Sequence, residues 1–377
     1  MEAYLDNSAT TPVCPEAIEA INNTLTKCWG NPSSLHFGGI EASEVLEKAR
    51  HSIAKKLSCD DNEIIFTSGG TESNNIAVFG AAHAFRPKGM RIITTSIEHP
   101  SVEEPMKQLE KEGYDVVRLN IDKNGRFDER QLNAAVNTST SLISIMAVNN
   151  EIGTIEAIEK VKSAVRKFNA PALIHCDAVQ AFGKIPLKPH ALGVDLMSIS
   201  AHKIHGPKGA GALFVNKGSR LATTVFGGGQ ERGIRPGTEP LPAIAGFGAA
   251  ADAIKDIDVN LRIATEQRNY LIARLSELGG IVINSPADAL PYVTNISVTG
   301  IPSEVLLNFL SEMGVYISSG SACSKGHKSR VLTEIGLDSQ RINSAVRISI
   351  SRYTTKQEID YFIQGVASAQ KVMRRMK

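Results

Sequence analysis

Cysteine is scarce in this sequence, and the five that occur share no spacing. Cys14, Cys28, Cys59, Cys176 and Cys323 are odd in number and never stand in C-x-x-C order. That pattern excludes a disulfide framework and a zinc site, so no metal is expected, and it suits the reducing cytoplasm. Long apolar runs are missing too: none approaches the ~20 residues that a membrane span needs. The opening Met1-Glu2-Ala3-Tyr4-Leu5-Asp6 has neither the basic start nor the apolar stretch of an export signal. An excess of charge of one sign is also lacking. The 41 Lys and Arg nearly cancel the 39 Asp and Glu, leaving a formal charge of +2. This gives no electrostatic footprint for nucleic acid and no charged tail. The basic residues Arg374, Arg375 and Lys377 stand where a helix C-terminus favours cations. Aromatic residues make up 5% with one Trp, which fits an alanine- and glycine-rich α/β enzyme.

What is present is a long alternation of two periodicities. Short runs rich in β-branched residues read as strands at 63–67 (EIIFT), 91–95, 115–119, 142–148, 172–176 and 195–200. Several are apolar throughout, as strands covered on both faces should be. Amphipathic stretches at 41–57, from 72 onward and at 155–168 read as helices between them. The order predicts an α/β fold with a mainly parallel sheet and helices on both faces. A Gly, Arg and Pro-rich loop at 226–242 then precedes an alanine-rich helix and a helix at 261–278. Strands at 294–298 and 346–350 and helices at 303–313 and 355–371 follow on a smaller scale. A chain of 377 residues exceeds one compact core. The expected division is a large domain at 15–255 and a small α/β domain at 256–377, with residues 1–14 packing near the latter.

Three polar clusters stand at strand ends, where ligands bind in open α/β sheets. In the first, Thr67-Ser68-Gly69-Gly70-Thr71-Glu72 turns from strand into helix. Paired glycines let the backbone approach an anion, and the free N–H groups of the helix start point at it. A phosphate is the natural guest, with the Thr71 hydroxyl as a further donor. The second runs from Ser198 through Ser200, His202, Lys203 and Lys208 in a Gly/Pro loop. A lysine leaving a buried strand there can be desolvated, which favours the free amine that imine chemistry needs. Lys208 competes for that role, although its flanking glycines mark it as a turn residue. In the third, Asp177 follows an apolar strand that contains His175. Such a carboxylate caps the next helix or holds a protonated pyridine nitrogen.

Taken together, these clusters resemble the cysteine desulfurases (the NifS/IscS type) among the fold-type I, class V aminotransferase-like enzymes. The resemblance runs nearly end to end. It begins with Tyr4-Leu5-Asp6-Asn7-Ser8-Ala9-Thr10-Thr11-Pro12 and Gly30-Asn31-Pro32-Ser33-Ser34. It continues through the glycine turn, Glu98-His99, Asn149-Asn150-Glu151 and the lysine loop to Arg235-Pro236-Gly237-Thr238. It closes with Ser318-Ser319-Gly320-Ser321-Ala322-Cys323 and the strand carrying Arg347. The family's fold implies a mainly parallel seven-stranded sheet plus a smaller C-terminal α/β domain. Its activity implies removal of sulfur from L-cysteine to give L-alanine, with pyridoxal 5'-phosphate as cofactor.

The resemblance also implies a role for each matching residue. Lys203 would bond covalently to the cofactor and later move the Cα proton. Asp177 would pair with the pyridinium nitrogen, Gln180 with the ring oxygen, and His99 would stack on the ring and move protons. Gly70, Thr71, Ser200 and His202 would hold the phosphate. Thr238 would reach that phosphate from a second subunit, which implies a homodimer with shared sites. Asn150 and Arg347 would orient the substrate, since a guanidinium grips a carboxylate through two parallel hydrogen bonds. Cys323 would take the sulfur as a persulfide and pass it to an acceptor or scaffold protein, for iron–sulfur assembly or tRNA thiolation. The residues around it agree with that role: 318–326 is polar, and Lys325, His327, Lys328 and Arg330 favour a thiolate. The rivals are a selenocysteine lyase, an aminotransferase and a non-catalytic scaffold. Pro236 stands where relatives often carry Ser, and the stretch after Cys323 is shorter and more basic than in many of them.

Overall fold

Apolar runs that alternate their side chains between two faces need cover on both, and the central sheet of the protein meets that demand. The structure is a computed structural model that describes residues 1–319 and 329–375. In chain order the strands are β1 (Ala3–Tyr4), β2 (Ile64–Thr67), β3 (Arg91–Thr95), β4 (Asp115–Leu119), β5 (Thr140–Met146), β6 (Leu173–Asp177), β7 (Leu196–Ser200) and β8 (Gly211–Val215). Then come β9 (Ile281–Ile283), β10 (Val293–Val298), β11 (Val315–Tyr316) and β12 (Ala345–Ser349). The principal helices of the first half are α1 (Pro15–Lys27), α2 (Phe37–Leu57), α3 (Gly70–Phe85) and α4 (Pro100–Lys111).

Strands β2 to β8 form one seven-stranded sheet in the order β2-β8-β7-β6-β5-β3-β4. The run from β7 to β4 is parallel, and β8 lies antiparallel to both β7 and β2. The sheet divides the core in two. Ile64, Phe66, Ile93, Ile143 and Phe214 face a cluster with Leu46, Ile53 and Phe247. Their neighbours Ile65, Ile92, Leu142 and Leu213 face Ile76, Val102 and Met106 of α3 and α4. The expected parallel α/β sheet with helices on both faces is therefore present, and its seven strands are those of the fold the resemblance implied.

Strand β8 is the member that residue patterns do not announce. Gly211-Ala212-Leu213-Phe214-Val215 has one β-branched residue and opens on glycine. The glycine has a packing reason: a Cβ at Gly211 would come within 2.6 Å of Gly69 Cα in the turn after β2. Gly248 is constrained in the same way, since a Cβ there would meet Ala49 Cα of α2 at 2.6 Å. The close approach seats the helix Leu241–Asp252 on α2.

A second sheet, antiparallel and ordered β12-β10-β9, is built from the C-terminal part, and β1 pairs with β11 beside it. The N-terminal segment connects this part to the central sheet. Ser349 N–H donates to Leu5 O at 2.7 Å, and Asn7 Nδ2 donates to Ser349 O at 2.9 Å. A few residues on, Thr11 N–H donates to His202 O and Cys14 N–H to His205 O, at 3.0 and 2.9 Å. The segment is thus tied at one end to β12 and at the other to the loop after β7.

The stretch at 226–242 is irregular up to the helix at Leu241, and one buried ion pair anchors it. Glu231 takes Arg50 Nη1 and Nη2 at 3.0 and 2.8 Å and also accepts from Phe66 N–H at 2.6 Å. The Glu231 and Arg232 backbones are held at φ 44° and 60° to make this contact. Breaking a buried pair strands the other charge. Glu231→Ala is expected to destabilise the fold by about 3–5 kcal/mol, read as a lowered urea midpoint with an unchanged slope. A loss under about 1 kcal/mol would show that this pair does not anchor the loop.

Candidate active site

Because β2, β3, β5, β6 and β7 run the same way, their carboxyl ends meet at one edge of the sheet. The segments leaving those ends carry the polar clusters. They line a single cavity of about 570 Å³, within the usual range for a small-molecule site. Gly70, Thr71, His99, Asn150, Asp177, Gln180, Ser200, His202, Lys203 and Arg347 all line it. Thr238 is exposed and does not line it, and Cys323 lies outside the described residues.

The glycine turn has the shape expected of an anion cradle. Gly69 sits at φ 156°, which side chains rarely permit, and a Cβ built there meets nothing within 4 Å. A Cβ at Gly70 would strike Val179 Cγ2 at 2.6 Å. Helix α3 starts here with its N–H groups unpaired by the helix itself. Beside the turn, with its Cβ 3.7 Å from where a Gly70 Cβ would stand, Ser200 has a hydroxyl buried without a hydrogen-bond partner among the described residues. His202 reaches Thr10 Oγ1 through Nδ1 at 3.2 Å. Burial and the nearby Lys203 and Lys208 amines push its ring down to about 4, so it is neutral at physiological pH.

Lys203 enters the cavity from the loop after β7. Its Nζ donates to Ser8 O and Ala9 O at 2.5 and 2.8 Å, so the N-terminal segment fixes where the amine stands. Lys208, its rival in the loop, is exposed and does not line the cavity.

Asp177 belongs to a relay of side chains. Its Oδ1 accepts from Val179 N–H at 3.0 Å, and its Oδ2 accepts from Asn74 Nδ2 at 2.8 Å. Asn74 also donates to Ser101 Oγ at 2.8 Å, and Ser101 Oγ lies 2.7 Å from His99 Nδ1. The Ser101 N–H donates to the same His99 nitrogen at 3.1 Å. Nδ1 is therefore the acceptor, which puts the proton of the neutral ring on Nε2. Burial lowers the His99 pKa, and the Asp177 carboxylate partly restores it. His175, by contrast, is a strand residue held between Ser144 Oγ and Ser198 Oγ at 2.8 and 3.0 Å.

At the far wall Arg347 donates to Asn150 O and to Asp6 Oδ1, both at 2.9 Å. Burial raises the Asp6 pKa, and the Arg347 guanidinium opposes the rise. Arg330, just past the stretch that carries Cys323, also lines the cavity and donates to Glu98 O.

Residue patterns did not single out the parts that hold these groups in place. Asn74 and Ser101 act between segments far apart in sequence. Asn74 had one available signal, a polar residue one helical turn beyond Thr71. Glu98 stands in a matching motif but was assigned no role. Its Oε1 accepts from Thr95 Oγ1 and Met146 N–H at 2.8 and 3.1 Å, while Oε2 is buried with no partner among the described residues. Burial pushes its carboxyl up to about 8, and Asp177 and Glu156 reinforce the shift. It is therefore a neutral acid beside His99 at physiological pH.

Comparison with known proteins adds to this geometry. Residues 3–362 match the family Aminotransferase class-V. The chain is similar to the cysteine desulfurase IscS of Dictyoglomus turgidum, 42% identical over 365 residues, covering 96% of this chain and 92% of that protein. The mitochondrial cysteine desulfurase of Drosophila melanogaster is also 42% identical, over 95% of this chain and 78% of that one. Among solved structures, a NifS-like protein superposes with a TM-score of 0.93 at 38% identity, covering 99% of this chain and 100% of its own. A structure of SspA in complex with cysteine has a TM-score of 0.83 at 34% identity, covering 94% of this chain and 100% of its own.

The Glu98 carboxyl makes a pH prediction. Its folded pKa lies above its unfolded one, so the folded state holds a proton that the unfolded chain gives up. This group's contribution is complete at low pH and is lost as pH rises towards about 8. Glu98→Gln removes that dependence. Its stability relative to the wild type should grow by on the order of a few kcal/mol between about pH 5 and pH 8. Parallel stability curves from urea titrations at several pH values would contradict a neutral Glu98.

Proposed function

The chain belongs to the class-V aminotransferase family, among its cysteine desulfurases, and we propose that it removes sulfur from L-cysteine with pyridoxal 5'-phosphate, releasing L-alanine. One observation carries the assignment of residues: a half-buried lysine, a buried aspartate and a glycine-turn helix start converge on one cavity at the carboxyl edge of the sheet.

The residues fit the cofactor. The Gly69–Gly70 turn, Thr71, the unpartnered Ser200 hydroxyl and His202 offer N–H and O–H donors to its phosphate. The Asp177 carboxylate, oriented by Asn74 and the Val179 N–H, would hold a protonated ring nitrogen. Gln180 would donate to the ring oxygen and His99 would lie on the ring. When bound, the cofactor supplies an electron sink for the pair left on the substrate's Cα.

The chain's own groups do the rest. Lys203 would hold the cofactor covalently, and its free amine would take the Cα proton of the substrate. Arg347 and Asn150 orient the substrate carboxylate. His99, with its proton on Nε2, moves protons at the reacting end of the substrate. The Cys323 thiolate attacks the substrate sulfur, an S–S bond forms as the Cβ–S bond breaks, and the enzyme keeps a persulfide for an acceptor protein. That acceptor serves iron–sulfur cluster assembly or tRNA thiolation.

A second copy of the chain would complete the site. Trp29, Leu35, Phe37 and Phe226 are 81–96% exposed, a large apolar presence on a protein of balanced charge. They lie in the segments 29–37 and 226–238, and the latter also carries the exposed Thr238. We read this surface as the homodimer contact through which Thr238 reaches the partner's phosphate. We further read 15–255 and 256–377 as two domains joined by residues 1–14, a division supported by their separate sheets. We read the protein as cytoplasmic, a reading supported by its few scattered cysteines; separately, no helix among the described residues is long and apolar enough to cross a membrane.

The deciding measurement is L-alanine and persulfide formation from L-cysteine. Cys323→Ala should abolish both products while the bound cofactor keeps its colour; a mutant that still forms persulfide would exclude Cys323 as the acceptor. Arg347→Lys keeps a charge but loses the forked grip, and should cut kcat/KM by about 10–100-fold, mainly through KM.

A further inference from the structure

Lys184 is a buried cationic side chain to which no role above has been given. It lies in the turn after β6, four residues beyond Gln180, and its Nζ donates to Gln180 Oε1 at 3.0 Å. That is the one hydrogen bond of its side chain among the described residues. The charges acting on it are both cations, Lys203 and Arg347. The imidazoles of His202 and His205 are in turn depressed by it. Burial and the two cations push its amine down to about 7. Its folded pKa thus lies below its unfolded one. The penalty on folding is complete below about pH 7 and fades as pH rises towards the ordinary lysine range. Stability supplies no reason for an amine at this position.

The neighbouring bonds supply one. Gln180 Nε2 donates to Ser8 O at 3.0 Å, and Lys203 Nζ donates to the same carbonyl at 2.5 Å. The two amines are therefore the ends of one chain that passes through Gln180 and Ser8. A glutamine amide has an accepting end and a donating end, and its surroundings decide which way it lies. With its N–H groups on Oε1, Lys184 forces the NH₂ end towards Ser8. One N–H is satisfied there, and the second remains for the cavity that Gln180 lines. Lys184 does not line that cavity; it borders a smaller one behind Lys203, with Asn7, Thr11 and His205.

We propose that Lys184 is a positioning residue: it pins the Gln180 amide with its donor end towards the cofactor's ring oxygen, and in its protonated form it favours the uncharged form of the nitrogen at Lys203. The inference rests on the cofactor roles proposed for Lys203 and Gln180. The effect passes through Gln180 and through space, so it is read at the cofactor and not only in turnover.

The experiment titrates the visible absorption of the bound cofactor with pH in wild-type holoenzyme, Lys184→Met, Gln180→Met and the double variant. Lys184→Met should keep its cofactor, melt no lower than the wild type, and raise the pH midpoint of the band by about one unit. Gln180→Met should move the midpoint in the same direction. The double variant should shift by less than the sum, because both changes cut one chain. Lys184→Gln retains a donor without the charge and should show a smaller rise; it also serves if the Met variant does not fold. An unmoved midpoint in both Lys184 variants, or fully additive shifts, overturns the proposal. Wild-type protein that gains no visible band with pyridoxal phosphate, or a band that survives Lys203→Ala, overturns instead the function on which it rests.

Discussion

The hydrogen bonds of residues 5–14 are what the rest of the site depends on. They run from Ser349 in β12 to His202 and His205 after β7, and midway they offer the carbonyls of Ser8 and Ala9 to Lys203. The amine is placed by backbone from the opposite end of the chain. The same segment supplies Asp6 to Arg347, so the Lys203 amine and the Arg347 guanidinium share one support. Each of these bonds contributes only about 1 kcal/mol net. What they fix is relative position, and a small misplacement at a reacting centre costs far more in rate.

Around that support the protein suppresses charge. Glu98 is held neutral, and so is the His202 ring; Lys184 is brought near neutrality. In each case desolvation is the largest cause, and neighbouring charges of the same sign add to it. Asp177 and Arg347 are each hydrogen-bonded through more than one atom. Acidic and basic side chains both line the cavity, among them Asp177, Lys203, Arg330 and Arg347. In a low-dielectric pocket each one acts with more force than it would in water.

Much of this was legible in the residues, for reasons that also mark where legibility ends. Strands buried on both faces leave continuous β-branched runs, so EIIFT and LISIM could be read directly. GALFV could not, because its glycine answers a contact with Gly69 that only the folded chain reveals. Lys203, Asp177 and the glycine turn stood out because strand ends are where α/β sheets bind ligands, and the resemblance then ordered them. The relay from Asp177 through Asn74 and Ser101 to His99 joins three segments, and no local pattern encodes it. The states of Glu98 and Lys184 depend on burial, and a sequence does not distinguish a buried amine from the many solvated ones. Cys323 lies outside the described residues.

The reversed direction of β8 bears on how the site is assembled. Since β8 runs against β7, Ser200 pairs with Gly211 and the loop 201–210 closes a hairpin. Every parallel pairing in the sheet needs a crossover of a dozen or more residues. The hairpin closes over a short loop, and loop-closure entropy rises with length. The strand pair that flanks Lys203 is thus the most local long-strand pairing in the central sheet. In a fold dominated by non-local contacts, local pairings carry the smallest entropic barrier to formation. The amine's loop is held at both ends by neighbours in sequence as well as in space, so its geometry does not wait on the docking of the C-terminal sheet.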